Sequence, residues 1–233
     1  MKFISIDVET TGLDPETCQI LSIGAVIEDT NNLVPFKELP TFHGVIKREN
    51  VSGSLFALNM NKDLIETVVQ YSTAKNQDEK NDIVNITGMQ FYNENEIVEA
   101  LFQFCYRNGL ADPSLEFLNM HTKLVNGETY PVIGSNMKKT YLNCAGKNFA
   151  GFDQKFLERL PRWKQLFSIR SRVLDPGILF VDWFKDESIP SLDECKKRAG
   201  IKGVVTHNAV EDAMDVVMLL RKRYEEGITT LNK

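Results

Sequence analysis

The sequence predicts an α/β fold, in which a mixed β-sheet carries helices on its faces. Three strand-like segments come first and are joined by short turns, and strand-like and helical segments then alternate to the end of the chain. Short turns favour an antiparallel meander, and the later alternation adds strands with helices packed against the sheet. A chain of 233 residues can bury a substantial core, and we expect one domain spanning residues 1–233.

The strands are predicted from apolar runs and alternation bounded by turn residues. They cover residues 2–9, 19–27, 41–46, 141–146 and 172–175. The helices are predicted from apolar spacing and capping residues. They cover residues 55–70, residues 97–108 before Gly109, a segment ending at Leu160 before Pro161, a helix opened by a capping box at Ser191, and a last helix from about 208 to 226 capped by Gly227.

Two stretches, residues 47–96 and 111–140, are predicted to be insertions into this domain. Residues 71–96 are polar and contain five asparagines, which indicates an irregular insertion or flap. Residues 111–140 are predicted to be rich in loops and include Pro113, Gly127, Pro131 and Gly134.

The composition is that of an ordinary globular protein, with 42% apolar and 25% charged residues. No apolar run approaches the roughly 20 residues that span a bilayer. The first residues resemble the start of a signal peptide, but Asp7 and Glu9 end the apolar run too early. We therefore expect a soluble, cytoplasmic protein without a membrane partner. Its scattered cysteines are expected to be reduced core residues rather than zinc ligands or disulfides. They are Cys18, Cys105, Cys144 and Cys195.

Positive charge is concentrated in one part of an acidic chain. The net charge is -5, yet residues 138–172 contain nine basic residues and only two acids. Such a zone could bind phosphates, or it could be a solvated surface. Its basic residues are Lys138, Lys139, Lys147, Lys155, Arg159, Arg162, Lys164, Arg170 and Arg172.

Asp7 and Glu9 stand two residues apart at the end of the first predicted strand. Strand side chains alternate between faces, so these two carboxylates point the same way. The apolar residues Ile4, Ile6 and Val8 of the same strand point the other way, into a core. Two neighbouring like charges repel, and a divalent cation between them removes the repulsion. Oxygen-only ligands favour Mg²⁺ or Mn²⁺ over zinc.

Asp153 lies within the apolar stripe of a predicted helix, four residues after Phe149. An unpaired carboxylate on a buried face is costly, so Asp153 needs a basic side chain, a helix N-terminus or a metal as its partner. Because Asp153 is near the start of the helix, a favourable interaction with the helix dipole is the alternative to metal binding.

Asp212 repeats this pattern in the last helix, where it falls among the apolar residues of one face. Asp215 lies on the opposite face and is expected to be solvated. His207 precedes the helix by one turn, from where its side chain can reach the same site. His43 and His121 have no comparable acidic group in their segments and are expected to be structural or surface residues.

Three short motifs occur in order along the chain. They are DVETTGL at residues 7–13, NFAGFDQKFL at 148–157, and HNAVEDA at 207–213, where the His and the Asp are five residues apart. Through these motifs the chain resembles the 3′→5′ exonucleases of the DEDDh (DnaQ-like) type, in the ribonuclease-H-like superfamily. The resemblance covers the predicted core and excludes residues 47–96 and 111–140.

The resemblance implies a ribonuclease-H-like fold, with a mixed five-stranded sheet flanked by helices, and a site for two divalent cations, Mg²⁺ or Mn²⁺. In that site Asp7 bridges both ions, and Glu9 and Asp212 complete the first. Asp153 holds the second ion, and His207 takes a proton from the attacking water. The substrate-binding residues that it implies are Thr10, Thr11, Gly12, Leu13 and Asn148.

The reaction implied is hydrolysis of phosphodiester bonds at the 3′ end of single-stranded DNA or RNA, which releases nucleoside 5′-monophosphates. Two other functions stay open: a catalytically silent nucleic-acid-binding module with the same fold, and an RNA-specific enzyme similar to oligoribonucleases. The presence of all five site residues favours an enzyme. Five aromatic residues could stack on bases, although core packing is the commoner fate. They are Phe91, Tyr92, Trp163, Phe167 and Trp183.

Overall fold

The computed structural model describes residues 1–111, 122–125, 128–131, 139–203 and 206–231. His121, Lys138 and most of the predicted insertion at 111–140 lie outside the described residues. The strands are β1 (Lys2–Thr10), β2 (Ile20–Asp29), β3 (Thr41–Ile46), β4 (Gln90–Tyr92), β5 (Thr122–Val125), β6 (Glu128–Pro131), β7 (Thr140–Leu142), β8 (Cys144–Ala145) and β9 (Phe167–Ile169). The helices are α1 (Leu55–Met60), α2 (Lys62–Thr73), α3 (Gln77–Thr87), α4 (Ile97–Arg107), α5 (Asp153–Leu157), α6 (Trp163–Leu166), α7 (Leu192–Ala199) and α8 (Ala209–Leu231), with short 3₁₀ helices at Phe36–Glu38 and Pro176–Phe180.

A five-stranded sheet with the order β4-β3-β2-β1-β8 organises the fold. β2 runs antiparallel to β1 and β3, while β4 pairs parallel with β3 and β8 pairs parallel with β1. The prediction of a mixed five-stranded sheet flanked by helices is therefore confirmed. The four strands other than β2 point the same way, so their carboxyl ends share one edge of the sheet. We call this edge, where the strands end at Thr10, Ile46, Tyr92 and Ala145, the carboxyl edge.

The predicted fifth strand at residues 172–175 is wrong. In the structure Leu174 forms only an isolated bridge with Ala145. The segment cannot extend, because Asp175 caps the following 3₁₀ helix and Pro176 has no N–H to donate to a ladder. The fifth strand of the sheet is instead β4, the outer strand on the side away from β8.

The prediction of an irregular flap at residues 71–96 is also wrong, because α3 and β4 form there. Asn76 caps α3 by accepting a hydrogen bond from the Glu79 backbone N–H at 2.9 Å, and Gly88 ends the helix at a φ of +69°. No residue of α3 is fully buried, so a polar composition suits this helix.

Two predicted helix boundaries differ from the structure, and one capping signal is present. The helix predicted at 55–70 is two helices that meet at Asn61. The last helix does not end at Gly227 but continues to Leu231, since one interior glycine costs only about 1 kcal/mol. The predicted capping box opens α7, where the Ser191 hydroxyl accepts a hydrogen bond from the Glu194 N–H at 3.3 Å.

Helices cover both faces of the sheet. The larger core packs Ile4, Ile6 and Val8 of β1 against α4 and the segment around α5. The smaller core packs Phe3 of β1 and Val26 of β2 against α8. All four cysteines are free thiols, three of them buried and Cys18 half-buried. Among the described residues, every helix is too short or too polar to traverse a bilayer.

Helix α8 is fixed to β2 at two positions, Gly24 in the middle of the strand and Glu28 near its end. A Cβ on Gly24 would lie 2.1 Å from the carbonyl carbon of Ala209, so only glycine lets the first turn of α8 come this close. Three turns later the buried Arg221 guanidinium pairs with the fully buried Glu28 carboxylate. Arg221 also donates to the Val34 carbonyl at 2.7 Å, and the Tyr224 hydroxyl lies 3.1 Å from the Glu28 carboxylate.

Candidate active site

Three carboxylates meet at the carboxyl edge of the sheet. Asp7 and Glu9 lie on β1, and Asp212 lies in the first turn of α8. One ligand oxygen from each lies within 4.8 Å of the other two. Asp7 is opposite Gly24 in the β1–β2 ladder, so the close approach of α8 to that glycine brings Asp212 beside Asp7.

Asp153 lies beside this cluster but outside the three-residue group. It is the first residue of α5 and is only 3% exposed. Its Oδ1 accepts a hydrogen bond from the Val8 backbone N–H at 3.0 Å. The partners of this buried carboxylate within the chain are therefore backbone amides, that of Val8 and its own.

Burial raises the pKa of all four carboxyl groups and is the largest cause for each. The pKa values of Glu9, Asp153 and Asp212 rise to about 7. The pKa of Asp7 lies well above its usual range because of burial and then because of the neighbouring charges, Asp153 first. Four acids so placed favour a bound cation, because its positive charge lowers the pKa values that burial raises.

The donors present suit a hard divalent cation. All the converging groups are carboxylates, and oxygen ligands are those that Mg²⁺ and Mn²⁺ prefer. The Oδ1 of Asp212 is buried and has no hydrogen-bond partner among the described residues. A buried carboxylate oxygen without a partner is costly, and a metal ion at this point removes the cost.

His207 lies on the rim of the same site. Its φ of +53° is the left-handed conformation, and the next residue, Asn208, caps α8. The Asn208 side chain accepts hydrogen bonds from the backbone N–H groups of Val210 at 3.1 Å and Glu211 at 3.3 Å. The His207 side chain is exposed, and His207 lines the same cavity as the acids.

The carboxylates form the floor of a cavity of about 590 Å³. One wall is apolar and includes two strongly exposed side chains, Leu13 at 84% and Phe56 at 76%. The lining residues are Asp7, Val8, Glu9, Thr10, Gly12, Leu13, Asp14, Cys18, Ser54, Phe56, Ala57, Met60, Asn61, Phe152, His207 and Asp212.

Helix α1 contributes to this cavity in a way that the sequence does not reveal. Phe56, Met60 and Asn61 come from a segment predicted to be part of an insertion, and no local pattern separates them from an ordinary helix. Asn61 is 3% exposed and donates to the carbonyls of Thr10 and Ala57 at 3.2 Å. The neighbouring Asn61 side chain lowers the pKa of the Glu9 carboxyl against the larger effect of burial.

The five predicted substrate-binding residues divide into two groups. Thr10, Gly12 and Leu13 line the cavity. Thr11 is fully buried, and its hydroxyl accepts a hydrogen bond from the Gln19 N–H at 2.9 Å. Asn148 has a φ of +57° and donates its backbone N–H to Asp175 at 2.9 Å, and it does not line the cavity.

The prediction that Asp215 is solvated is wrong. Asp215 pairs with the buried Lys196 of α7 at 2.5 Å. The periodicity of α8 alone does not show that α7 packs against this part of its surface. The ion pair joins α7 to α8 one turn beyond Asp212, and the charge of Lys196 slightly offsets the burial that raises the pKa of Asp212.

Much of the predicted basic zone is paired with acids. Lys147 lies 3.5 Å from Asp175 and Lys164 lies 3.7 Å from Glu158. Two further pairs join Arg159 to Glu16 and Arg162 to Glu99. These contacts favour the solvated-surface interpretation for the four basic residues involved. Of the five aromatic residues, Phe91, Trp163 and Phe167 are buried and Tyr92 is partly buried, whereas Trp183 is 73% exposed.

Two solved structures of proteins named Exonuclease I share this fold. One, determined to explain how processivity is achieved, is 14% identical with a TM-score of 0.51, over 95% of this chain and 40% of that chain. The other, a moderately thermophilic Exonuclease I from Methylocaldum szegediense, is 15% identical with a TM-score of 0.51, over 96% and 40%. At these identities the likeness establishes the fold, and the chain spans 40% of the length of either protein. No protein-family model and no curated protein matches the sequence.

Proposed function

We propose that this chain is a metal-dependent 3′→5′ exonuclease that hydrolyses single-stranded DNA or RNA and releases nucleoside 5′-monophosphates. The observation that carries the proposal is the convergence of Asp7, Glu9 and Asp212 within 4.8 Å at the floor of an open cavity. The fold shared with two proteins named Exonuclease I supports it at the level of architecture.

The acidic residues would hold two divalent cations, Mg²⁺ or Mn²⁺. Asp7, Glu9 and Asp212 offer one cluster of oxygens, and Asp153 adds a carboxylate that the Val8 amide fixes in place. Such a pair of ions, when bound, stabilises charge on the attacking and leaving oxygens of a phosphodiester.

His207 supplies the proton acceptor. Its exposed side chain lines the same cavity as the acids. A nitrogen of the ring takes a proton from the water that attacks the terminal phosphodiester. The exposed position lets the imidazole return that proton to solvent after each cycle.

The cavity favours a single unpaired nucleotide as the occupant. Its volume of about 590 Å³ is in the range of pockets that hold one small ligand, which is too small for a duplex. The apolar wall of Leu13, Phe56 and Met60 offers a surface for an unstacked base. A free 3′ end delivers such a nucleotide more readily than an internal position does.

A digestion ladder tests the proposal. Single-stranded DNA, single-stranded RNA and duplex DNA, each labelled at the 5′ end, are incubated with Mg²⁺, Mn²⁺ or a chelator. Stepwise shortening that requires the metal is expected, and the relative rates assign the sugar preference. Internal cuts would indicate an endonuclease. Binding without any cleavage would instead establish the catalytically silent module.

Asp212→Asn is expected to abolish shortening, with Glu211→Gln as the matched control. Glu211 is the preceding residue on α8, is exposed and does not line the cavity. Equal activity of Asp212→Asn and wild type would contradict the proposed ligand set.

A further inference from the structure

A second cleft, of about 500 Å³, opens at the carboxyl edge of the sheet on the side of β3 and β4. Its lining comes from the residues after β3, the end of α2, one residue of α3 and one after β4. They are Lys47, Arg48, Glu49, Val69, Tyr71, Ser72, Thr73, Lys80 and Asn93. None of these residues lines the acidic cavity.

Two lysines converge on one face of the Tyr71 ring in this cleft. Phe91 covers the other face of the ring, with centroids 3.9 Å apart and the planes at 7°. The ammonium groups of Lys47 and Lys80 lie 5.9 and 5.4 Å from the Tyr71 centroid. Because Phe91 occupies one face, both ammonium groups must lie over the open face, where cation–π attraction holds them.

These two like charges are partly buried and lack a carboxylate partner among the described ion pairs. The neighbouring Arg48 cannot serve as a third free cation, because it pairs with Glu94 at 3.0 Å and donates to the Ile20 carbonyl. Two unpaired ammonium groups held together repel, and an anion between them relieves the repulsion. The exposed Glu49 carboxylate partly opposes this field at the edge of the cleft.

The cleft and the acidic cavity are joined by short pieces of chain. The segment from Lys47 to Ser54 begins at the cleft and ends at the cavity wall. Gln19 fixes the middle of this segment through hydrogen bonds with Asn50 and Ser52. Two strand spacings separate β3 from β1, about 10 Å. A nucleic-acid strand whose 3′ end lies at the acids can therefore reach the cleft within a few nucleotides.

We propose that Lys47 and Lys80 bind a backbone phosphate of the same nucleic-acid strand whose 3′ end occupies the acidic cavity. The inference rests on the proposed function and adds a strand-holding site to it. The proposed contact is to the phosphate backbone, which carries no sequence information. The cleft contributes to binding affinity only when the nucleic-acid strand is long enough to span both sites.

The test compares Lys47→Met/Lys80→Met with Lys47→Arg/Lys80→Arg, which keeps both charges. A Lys37→Met/Lys202→Met variant controls for the loss of two exposed positive charges elsewhere. Binding of a dinucleotide and of an oligonucleotide of about ten residues is measured by fluorescence anisotropy in chelator, so that nothing is cleaved. Methionine retains most of the apolar length of lysine, and a thermal melt checks that each variant is folded.

We expect the methionine pair to bind the longer strand about tenfold more weakly, with no change for the dinucleotide. The slope of log affinity against log salt should become shallower by about 0.7 for each phosphate that the variant no longer binds. The arginine pair and the control should bind the longer strand as wild type does.

Unchanged binding of the longer strand, or an equal loss for the dinucleotide, would overturn the cleft assignment. If wild type binds the oligonucleotide but does not cleave it in Mg²⁺, the exonuclease proposal is rejected. The affinities of the lysine variants for the dinucleotide and the longer strand then still decide the cleft assignment. Failure of wild type to bind any oligonucleotide would reject both. Inorganic phosphate that competes as well as the oligonucleotide would identify a free-anion site and would also overturn the proposal.

Discussion

Gly24 lies directly opposite Asp7 in the β1–β2 ladder, and a Cβ on Gly24 would lie 2.1 Å from the backbone of Ala209. This one missing side chain lets the first turn of α8 rest on the sheet. The distance between Asp212 and Asp7 therefore depends on a glycine that takes no part in the chemistry itself.

Gly24→Ala is expected to displace α8 and to separate Asp212 from Asp7. Nuclease activity should fall by about 10²-fold or more, because a misplacement of about 1 Å is sufficient for such a loss. The control is Gly200→Ala, which adds a strained residue at a φ of +68° but meets no atom within 4 Å. Steady-state rates and thermal melts of both variants should show lost stability in each and lost activity only in Gly24→Ala.

The raised carboxyl pKa values predict how stability changes with pH when no metal is present. The usual pKa values of these groups are near 4, and those of Glu9, Asp153 and Asp212 in the folded chain are about 7. Between these limits the folded state binds more protons than the unfolded state, so stability falls as pH rises from about 4 to about 7.

In chelator, the melting temperature should therefore fall over this pH window by several degrees, at about 2–4 °C for each kcal/mol. Mg²⁺ should restore most of the loss at pH 8, because it binds only the folded acids. In Asp212→Asn, both the fall of the melting temperature with pH and its recovery in Mg²⁺ should be smaller. A melting temperature that is independent of Mg²⁺ at pH 8 would contradict the metal site.

His207→Gly is expected to slow single-turnover cleavage by about 10²–10⁴-fold, the usual effect of losing a general base. Glycine suits the positive φ at this position, so the backbone should be retained. Added imidazole should recover part of the rate in this variant and none in Asp212→Asn. A lack of rescue together with a normal rate would exclude His207 from proton transfer.

Phe56→Ala should weaken binding of the terminal nucleotide about tenfold, because it removes a stacking surface for a base. The adjacent Leu55→Ala is the matched control, since Leu55 is also exposed on α1 but does not line the cavity. KM or direct affinity measurements should separate the two variants. If Phe56→Ala and Leu55→Ala weaken binding equally, the Phe56 side chain offers no specific stacking surface and the loss comes from a change in α1 as a whole.

Lys196→Met is expected to lower the free energy of unfolding by about 3 kcal/mol, because it leaves Asp215 without its partner in a largely buried pair. Lys196→Met/Asp215→Leu should recover much of that loss. Urea denaturation of the two single variants and the double variant gives the coupling energy. Simple additivity would show that the pair does not hold α7 against α8.

Local chemistry explains why much of the sheet and the acidic residues could be predicted. The alternation around Asp7 and Glu9 places both on one face, and the apolar stripes around Asp153 and Asp212 mark each acid as anomalous. The structure brings these four acids together as the sequence predicts, while their roles in metal binding remain proposals.

The parts that could not be predicted depend on tertiary contacts. β4 is three residues long, and only pairing with β3 makes it a strand. Lys196 reaches Asp215 from another helix, which no periodicity within α8 can reveal. Phe56 is a cavity residue only because the segment after β3 folds back over the end of β1.

The buried Arg221–Glu28 pair is a second anchor for the helix that carries Asp212. It lies nine residues further along α8, about 14 Å from the acids. The first turn of α8 is seated on Gly24 and its middle is paired with the same strand, so two contacts fix the helix on β2. A substitution that breaks the Arg221–Glu28 pair would thus alter the distances between the carboxylates without replacing any of them.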